Sequence, residues 1–276
     1  MAQERISIVT DEISQELDTV SRFLQEHDVR TVEIRTVGGK RVPEIDRGIW
    51  EDMKNRLSQE GWRILALSAG TFKGHHSDRE RARRELSETL PETICRANEV
   101  LAEYIITFGF MAEADDEPPG HVVESLRLAA ELCRDGGVAL LLENEPGSYA
   151  DTGERTRRLL DMVNHPNIFA NWDPCNSNVF DDPRGLAESA RALGSYIKHV
   201  HVKDGAPVPG SAFARYGPIS TGRLGWGEHL RVLKEMGYRG CFGIETHFEP
   251  LYESSSELLS ELRSLLAEID FRGNAE

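Results

Sequence analysis

The stretch VALLLENEPG, residues 138–147, decides the fold, because five apolar residues run directly into Glu143, Asn144 and Glu145. An apolar run of this length is typical of a parallel β-strand that helices cover on both faces. Polar side chains directly after such a run lie at the carboxyl end of the strand, which is where α/β folds place their ligand sites. The stretch therefore predicts an α/β fold with chemistry at its strand ends.

Seven further runs share this pattern and alternate with amphipathic helical stretches. The predicted strands are Ile6–Val9, Thr31–Arg35, Arg63–Leu67, Tyr104–Phe108, Val138–Glu143, Ile168–Trp172, Ile197–Val202 and Cys241–Glu245. Strands and helices in alternation form either a closed barrel or an open doubly wound sheet. The count of eight favours the (β/α)8-barrel, as does TDEIS at residues 10–14, where an open dinucleotide-binding sheet would carry GxGxxG.

Length and composition agree with one barrel domain over residues 1–276, since α/β barrels commonly exceed 200 residues. The longest irregular stretch, at about 205–225, is expected to be a loop over the site. The chain has no apolar run of 18 residues and no signal-like N-terminus, so we expect a cytoplasmic protein without membrane contact. A net charge of −15 disfavours nucleic-acid partners and leaves a small molecule as the expected partner.

Acidic or imidazole side chains lie at the carboxyl ends of four consecutive predicted strands, at Glu143, Asp173, His201 and Glu245. These strand ends converge in a barrel, and clustered carboxylates are costly unless a cation neutralises them. Three carboxylates and one imidazole form a hard, mostly oxygen donor set. The set predicts one divalent metal ion, with Mn2+ favoured and Mg2+, Co2+ or Zn2+ as alternatives.

Other polar residues near these strand ends are candidates for substrate binding, namely Glu33, Asn176, Lys203 and His247. Several of these positions have a second interpretation. Lys203 either contacts a substrate oxygen or pairs with a carboxylate of the site, and Glu33 either lines the pocket or pairs with Arg35. His199 and His201 point to the same side of their strand, so the deeper His199 is expected to be packed and His201 to be the ligand. Asp204 either orients His201 or is a turn residue.

The motifs LLLENEPG, NWDPCN, HVHVKD and GIETH, in that order, resemble the sugar phosphate isomerase/epimerase superfamily with its xylose isomerase-like TIM barrel, which also includes AP endonucleases of the family 2 type. The resemblance covers nearly the whole chain. It implies the same four metal ligands, with Glu143 and Glu245 also acting as base and acid on opposite faces of the substrate. The implied activity is isomerisation or epimerisation of a small sugar, keto-sugar or cyclitol through an enediolate.

One departure from the family pattern lies after the sixth predicted strand, where Asn176 stands in place of a frequent histidine. An amide is a poor zinc ligand, which disfavours an AP endonuclease with several zinc ions. A lyase or dehydratase acting on an inosose, dehydroshikimate or a 3-keto-glycoside remains an alternative, as does a non-catalytic metal- or sugar-binding barrel. The sequence leaves the oligomeric state open, a homo-oligomer included.

Overall fold

A closed barrel of eight parallel strands forms the centre of the protein, as the computed structural model shows for residues 5–113, 117–178, 185–208 and 214–271. The strands in chain order are β1 (Ile6–Val9), β2 (Thr31–Ile34), β3 (Thr36–Val37), β4 (Lys40–Arg41), β5 (Arg63–Ser68), β6 (Tyr104–Phe108), β7 (Ala139–Glu143), β8 (Ile168–Trp172), β9 (Ile197–Val202), β10 (Asp204–Pro207), β11 (Ala214–Gly217) and β12 (Cys241–Ile244). The barrel closes in the order β1, β12, β9, β8, β7, β6, β5, β2. This confirms the predicted fold class, and each of the eight predicted strands agrees within one residue at either end.

Helices cover the outside of the barrel and fill the connections between its strands. They are α1 (Leu17–Glu26), α2 (Arg47–Glu60), α3 (Arg79–Arg84), α4 (Leu90–Val100), α5 (Gly120–Asp135), α6 (Gly153–Val163), α7 (Pro174–Asn178), α8 (Leu186–Leu193), α9 (Trp226–Glu235) and α10 (Leu251–Glu268). A π-helical segment, Glu85–Thr89, joins α3 to α4, and short 3-10 turns lie at Thr10–Glu12 and Gly194–Tyr196. Apolar faces of these helices and of the strands form one large buried core.

The two-residue alternation of the strands divides side chains between that core and the barrel interior. In β7, Leu140 and Leu142 belong to the large core, whereas Leu141 packs in a separate small cluster with Ala66 and Ile106. Glu143 has the same parity as Leu141 and therefore points into the barrel. The site residues at the ends of the other strands follow the same parity, which explains why they meet at the barrel axis.

The stretch predicted as an irregular loop at 205–225 contains a β-hairpin. Strands β10 and β11 pair antiparallel, with Asp204 opposite Gly217 and Gly205 opposite Tyr216. Residues 209–213 of the predicted loop lie outside the described residues. Within the described ranges no helix is long and apolar enough to cross a membrane.

Candidate metal centre

Four side chains at the carboxyl ends of neighbouring barrel strands converge on one point. Glu143 ends β7, Asp173 follows β8, His201 lies near the end of β9, and Glu245 follows β12. Each offers one donor atom, and these atoms all lie within 4.8 Å of one another. All four side chains are buried, with at most 5% of any residue exposed. Buried carboxylates this close together require a compensating positive charge.

The two ring nitrogens of His201 have different surroundings. Nδ1 faces the carboxylates, 3.5 Å from Oε1 of Glu143 and 3.4 Å from Oε2 of Glu245, and has no hydrogen-bond partner in the described part of the chain. Nε2 lies 3.0 Å from Oε2 of Glu33. An imidazole that donates its Nε2 proton to a carboxylate presents the lone pair of Nδ1, which is the arrangement of a metal-binding histidine. The buried, unpartnered Nδ1 atom and three oxygen donors around it therefore fit a divalent cation.

Glu33 lies at the end of β2 beneath this donor set, and both of its carboxylate oxygens are engaged. Oε1 accepts from the Ser7 hydroxyl at 2.6 Å and lies 2.9 Å from Nε2 of His199, while Oε2 faces His201. Burial opposes ionisation, but the two histidines outweigh it and hold the pKa of Glu33 well below its usual range. The predicted substrate-binding residue thus lies where it orients His201, and it does not pair with Arg35.

His199 is completely buried, and its Nε2 atom contacts Glu33. This is the packed position predicted for the deeper of the two histidines. Asp204 makes neither a hydrogen bond nor an ion pair with His201. Its carboxylate accepts hydrogen bonds from the backbone N–H groups of Gly205, Arg223 and Leu224 at 2.7, 2.9 and 3.2 Å. Of the two interpretations, the contacts favour the turn residue, because Asp204 ties the start of β10 to the backbone just before α9.

Lys203 brings a buried ammonium group into the donor set. Its Nζ atom lies 2.8 Å from Oδ2 of Asp173 and 2.6 Å from Oε2 of Glu245, and only 3% of the residue is exposed. Burial opposes the charge, but Asp173 and Glu245 outweigh it and raise the pKa of Lys203 well above its usual value. Of its two sequence interpretations, the structure shows the pairing with site carboxylates.

Glu245 is also contacted by Arg35, which follows β2, and by His247, which follows β12. Nη1 of Arg35 lies 2.5 Å from Oε1 of Glu245, and Nε2 of His247 lies 3.5 Å from the same oxygen. Glu12 holds His247, since its carboxylate accepts from the backbone N–H at 2.7 Å and contacts Nδ1 at 2.6 Å. Asp11 accepts from Nε of Arg35 at 2.8 Å. Asp11 and Glu12 were not predicted as site residues, although TDEIS follows the first strand at the same end of the barrel as the ligands.

Two asparagines hold the segment that carries Asp173, and a third contacts Glu143. Asn144 accepts from the backbone N–H of Asp173 and donates to its carbonyl, both at 2.7 Å. The backbone N–H of Asn176 donates to Oδ1 of Asp173, and its side chain donates to the carbonyl of Asn144, both at 2.9 Å. Asn171 donates to Oε2 of Glu143 at 3.1 Å. Asn176, predicted to bind substrate, therefore fixes the position of Asp173 while also lining the cavity. Asn144 and Asn171 were not predicted, because an amide after a strand or within one has no sequence signature of its own.

A cavity of about 540 Å³ opens above the donor set. Its size is in the range of small-molecule sites. Apolar side chains form part of its wall, and Tyr216 of the β10–β11 hairpin and His247 lie at its edge with ring centroids 5.0 Å apart. The lining residues are Val9, Glu33, Ile34, Arg35, Arg41, Ser68, Lys73, Ile106, Phe108, Met111, Glu143, Glu145, Pro146, Asn176, His201, Lys203, Tyr216, Glu245 and His247. All four residues predicted to bind substrate are among them.

Comparison with known sequences gives one matching family model and several relatives. The model, described as a xylose isomerase-like TIM barrel, matches residues 21–267. An uncharacterized protein of Methanocaldococcus jannaschii is 26% identical over 197 residues, which span 68% of this chain and 66% of the relative. A 3-dehydroshikimate dehydratase of Bacillus anthracis is 26% identical over 144 residues, or 51% of this chain and 44% of the relative. The matches thus span just under two thirds of the first relative and less than half of the second.

Solved structures share the fold over almost their full length. The IolI protein with a bound zinc atom superposes with a TM-score of 0.79 at 16% identity, covering 98% of this chain and 99% of the other. An L-ribulose 3-epimerase gives a TM-score of 0.77 at 16% identity and 99% of both chains. The probable 3-dehydroshikimate dehydratase AsbF of Bacillus anthracis gives 0.76 at 18% identity, covering 94% and 98%. At these identities the likeness concerns the fold.

Proposed function

Because the chain belongs to the xylose isomerase-like TIM barrel family, we propose that it is a metal-dependent isomerase or epimerase of a small sugar, keto-sugar or cyclitol. The observation that carries this proposal is the pair of buried glutamates, Glu143 and Glu245, facing one another across His201 at the floor of a sugar-sized cavity. Epimerases among the structural relatives support the same class of reaction.

A divalent ion would be held by Glu143, Asp173, His201 and Glu245. The oxygen-rich donor set favours Mn2+, while the zinc atom of the structurally similar IolI protein makes Zn2+ the main alternative. When bound, such an ion would polarise a substrate carbonyl and neutralise the negative charge that develops on its oxygen. Glu33 would keep Nδ1 of His201 available for this role through its contact with Nε2.

The proton transfers fall to the two glutamates. Burial opposes their ionisation, but His201 lowers the pKa of Glu143, and Lys203 and His247 lower that of Glu245 to well below its usual value. Both carboxyl groups are therefore ionised near neutral pH and able to accept a proton. One carboxylate removes a proton from the carbon beside the carbonyl and becomes protonated. The other takes up a proton from solvent and delivers it to the opposite face, which inverts that carbon, and loss of the abstracted proton to solvent restores the first carboxylate. Return of the proton to the neighbouring carbon would instead give isomerisation.

Exchange of substrate protons with solvent tests this proposal. The Mn2+-loaded protein is incubated in D2O with a panel of ketohexoses, ketopentoses and inososes, and 1H NMR follows loss of the signal from the carbon beside the carbonyl. We expect exchange with at least one sugar, and a fall of at least about 100-fold in Glu143→Gln and Glu245→Gln, in line with the usual contribution of general acid–base groups. Glu99→Gln, a distant carboxylate on α4 that contacts Trp50, should exchange like wild type. A folded, metal-loaded protein that exchanges no panel member would overturn the proposal.

A lyase or dehydratase is the second candidate, and the sequence match to a 3-dehydroshikimate dehydratase favours it. Such an enzyme removes the same kind of proton, and the substrate then loses the hydroxyl group on its next carbon as water. NMR product analysis separates the two activities, since dehydration yields a new alkene or aromatic signal and epimerisation does not. Metal binding without exchange or turnover would instead indicate a non-catalytic binding barrel.

A further inference from the structure

One cation in the cavity wall is not matched by a carboxylate. The lining contains four Lys or Arg side chains, and three of them form ion pairs within the site. Arg35 pairs with Asp11, Glu12 and Glu245, Lys73 with Glu145, and Lys203 with Asp173 and Glu245. Arg41 is the exception: no carboxylate in the described ranges forms an ion pair with it.

The position of Arg41 is set by two loops at the mouth of the barrel. It is the last residue of β4 in the short β3–β4 hairpin, opposite Thr36. Its side chain lies across Gly70, which follows β5 and has φ +74°, and a Cβ atom built at residue 70 would overlap Nη1 of Arg41. The absence of a side chain at Gly70 thus leaves room for the guanidinium to lie against the cavity wall.

The pKa values of Arg41 and Arg35 are shifted in opposite directions, which reflects the difference in their ion pairing. Burial lowers the pKa of Arg41, and the charge of Arg35 lowers it further. The charges of Asp11, Glu143 and Glu245 act in the opposite direction but do not outweigh burial. For Arg35, by contrast, Glu245 and Asp11 outweigh burial and raise the pKa. A half-buried guanidinium has five N–H donors, and among the described residues no carboxylate lies within ion-pair distance of that of Arg41. A bidentate carboxylate or phosphate would supply this missing partner.

We propose that Arg41 binds an anionic substituent, a carboxylate or a phosphate, on the substrate. This inference rests on the proposed function and narrows its substrate class from neutral sugars to sugar-like or cyclitol-like acids and phosphates. The anionic end lies against Arg41 at the cavity wall, while the carbonyl end lies over the glutamates at the floor. A cavity of about 540 Å³ accommodates a six-carbon ring together with such a group.

Paired probes that differ only in charge test the proposal by binding, without turnover. Isothermal titration calorimetry measures the dissociation constants of shikimate and its methyl ester, and of fructose 6-phosphate and fructose. Wild type is expected to bind the charged member of at least one pair about tenfold or more tightly, the usual range for a hydrogen-bonded charge pair. The pair with the larger ratio distinguishes a carboxylate from a phosphate.

Three variants assign that preference to one residue. Arg41→Gln is expected to bring the ratio of the two dissociation constants close to one, and Arg41→Lys to retain part of the preference. Arg79→Gln removes the same charge from the exposed surface of α3 and should leave the ratio unchanged. An unchanged ratio in Arg41→Gln would overturn the proposal, and so would a wild type that binds no charged probe in preference to its neutral partner. Missing proton exchange with an intact binding ratio would overturn the proposed function alone.

Discussion

Replacement of Glu33 by Gln tests whether the network beneath the donor set controls metal affinity. The carboxylate accepts at Oε2 from His201 and at Oε1 from His199 and Ser7. Gln has a single oxygen, so it satisfies only one side. If its NH2 group faces His201 it donates to Nε2, which moves the imidazole proton to Nδ1 and blocks the ligand atom.

The expected loss of divalent-metal affinity is about 10- to 100-fold, the usual effect of removing a carboxylate that orients a metal-bound histidine. This corresponds to roughly 1.4 to 2.7 kcal/mol of binding free energy. The assay is calorimetric titration of chelator-treated protein with Mn2+, with circular dichroism to establish that the variant is folded. Glu99→Gln serves as the matched control because its carboxylate lies on α4, outside the barrel strands, where it accepts a hydrogen bond from Nε1 of Trp50. A folded Glu33→Gln protein with wild-type Mn2+ affinity would refute this account of His201.

Three further predictions concern stability. Burial lowers the pKa of His229 to about 4. Between pH 6.5 and 4 only the unfolded state then takes up a proton at residue 229, so the free energy of unfolding falls by up to about 3 kcal/mol as the pH drops through that window. In urea unfolding, His229→Gln should show a shallower pH dependence of stability than wild type, and an equal pH dependence would contradict this. Gly243→Ala would place a Cβ atom 2.6 Å from Nε2 of His199 and against Glu33, so we expect the free energy of unfolding in urea to fall by about 1 to 3 kcal/mol. Wild-type stability in this variant would show that His199 and Glu33 can shift without cost. Lys203→Met removes the buried ammonium, so thermal unfolding should show a loss of stability of about 3 to 5 kcal/mol relative to wild type without metal, and a smaller loss with Mn2+. Equal losses in the two conditions would mean that the ion and the ammonium group do not neutralise the same carboxylates.

The strands and the convergence of the donor set could be predicted from sequence for a physical reason. A parallel strand buried on both faces must be an apolar run, and such a run has clear ends, as at Leu142 and Trp172. The carboxyl ends of all strands in a parallel barrel meet at one mouth. The residues after these ends therefore lie together, whatever the lengths of the connections between the strands.

The partners of individual side chains could not be predicted in the same way. Glu33 contacts His199 and His201, which are 166 and 168 residues away in the chain, and nothing local to β2 indicates that contact over pairing with Arg35. The hairpin β10–β11 lies in a stretch rich in Gly and Pro, so its sequence has no apolar run that would indicate a strand. The lack of an ion pair at Arg41, within the part of the chain that the structure describes, becomes apparent only when the other Lys and Arg side chains of the cavity have been matched to their carboxylates.

The most direct test of the central claim is the metal content of the purified protein and its ligand variants. Wild type, Asp173→Asn, Glu245→Gln and the control Glu99→Gln are loaded with Mn2+, dialysed and analysed by inductively coupled plasma mass spectrometry. We predict one ion per chain in wild type and in Glu99→Gln, and substoichiometric metal in the two variants of the donor set. A folded wild-type protein that retains no divalent ion, or ligand variants that retain as much as wild type, would contradict the metal centre at Glu143, Asp173, His201 and Glu245.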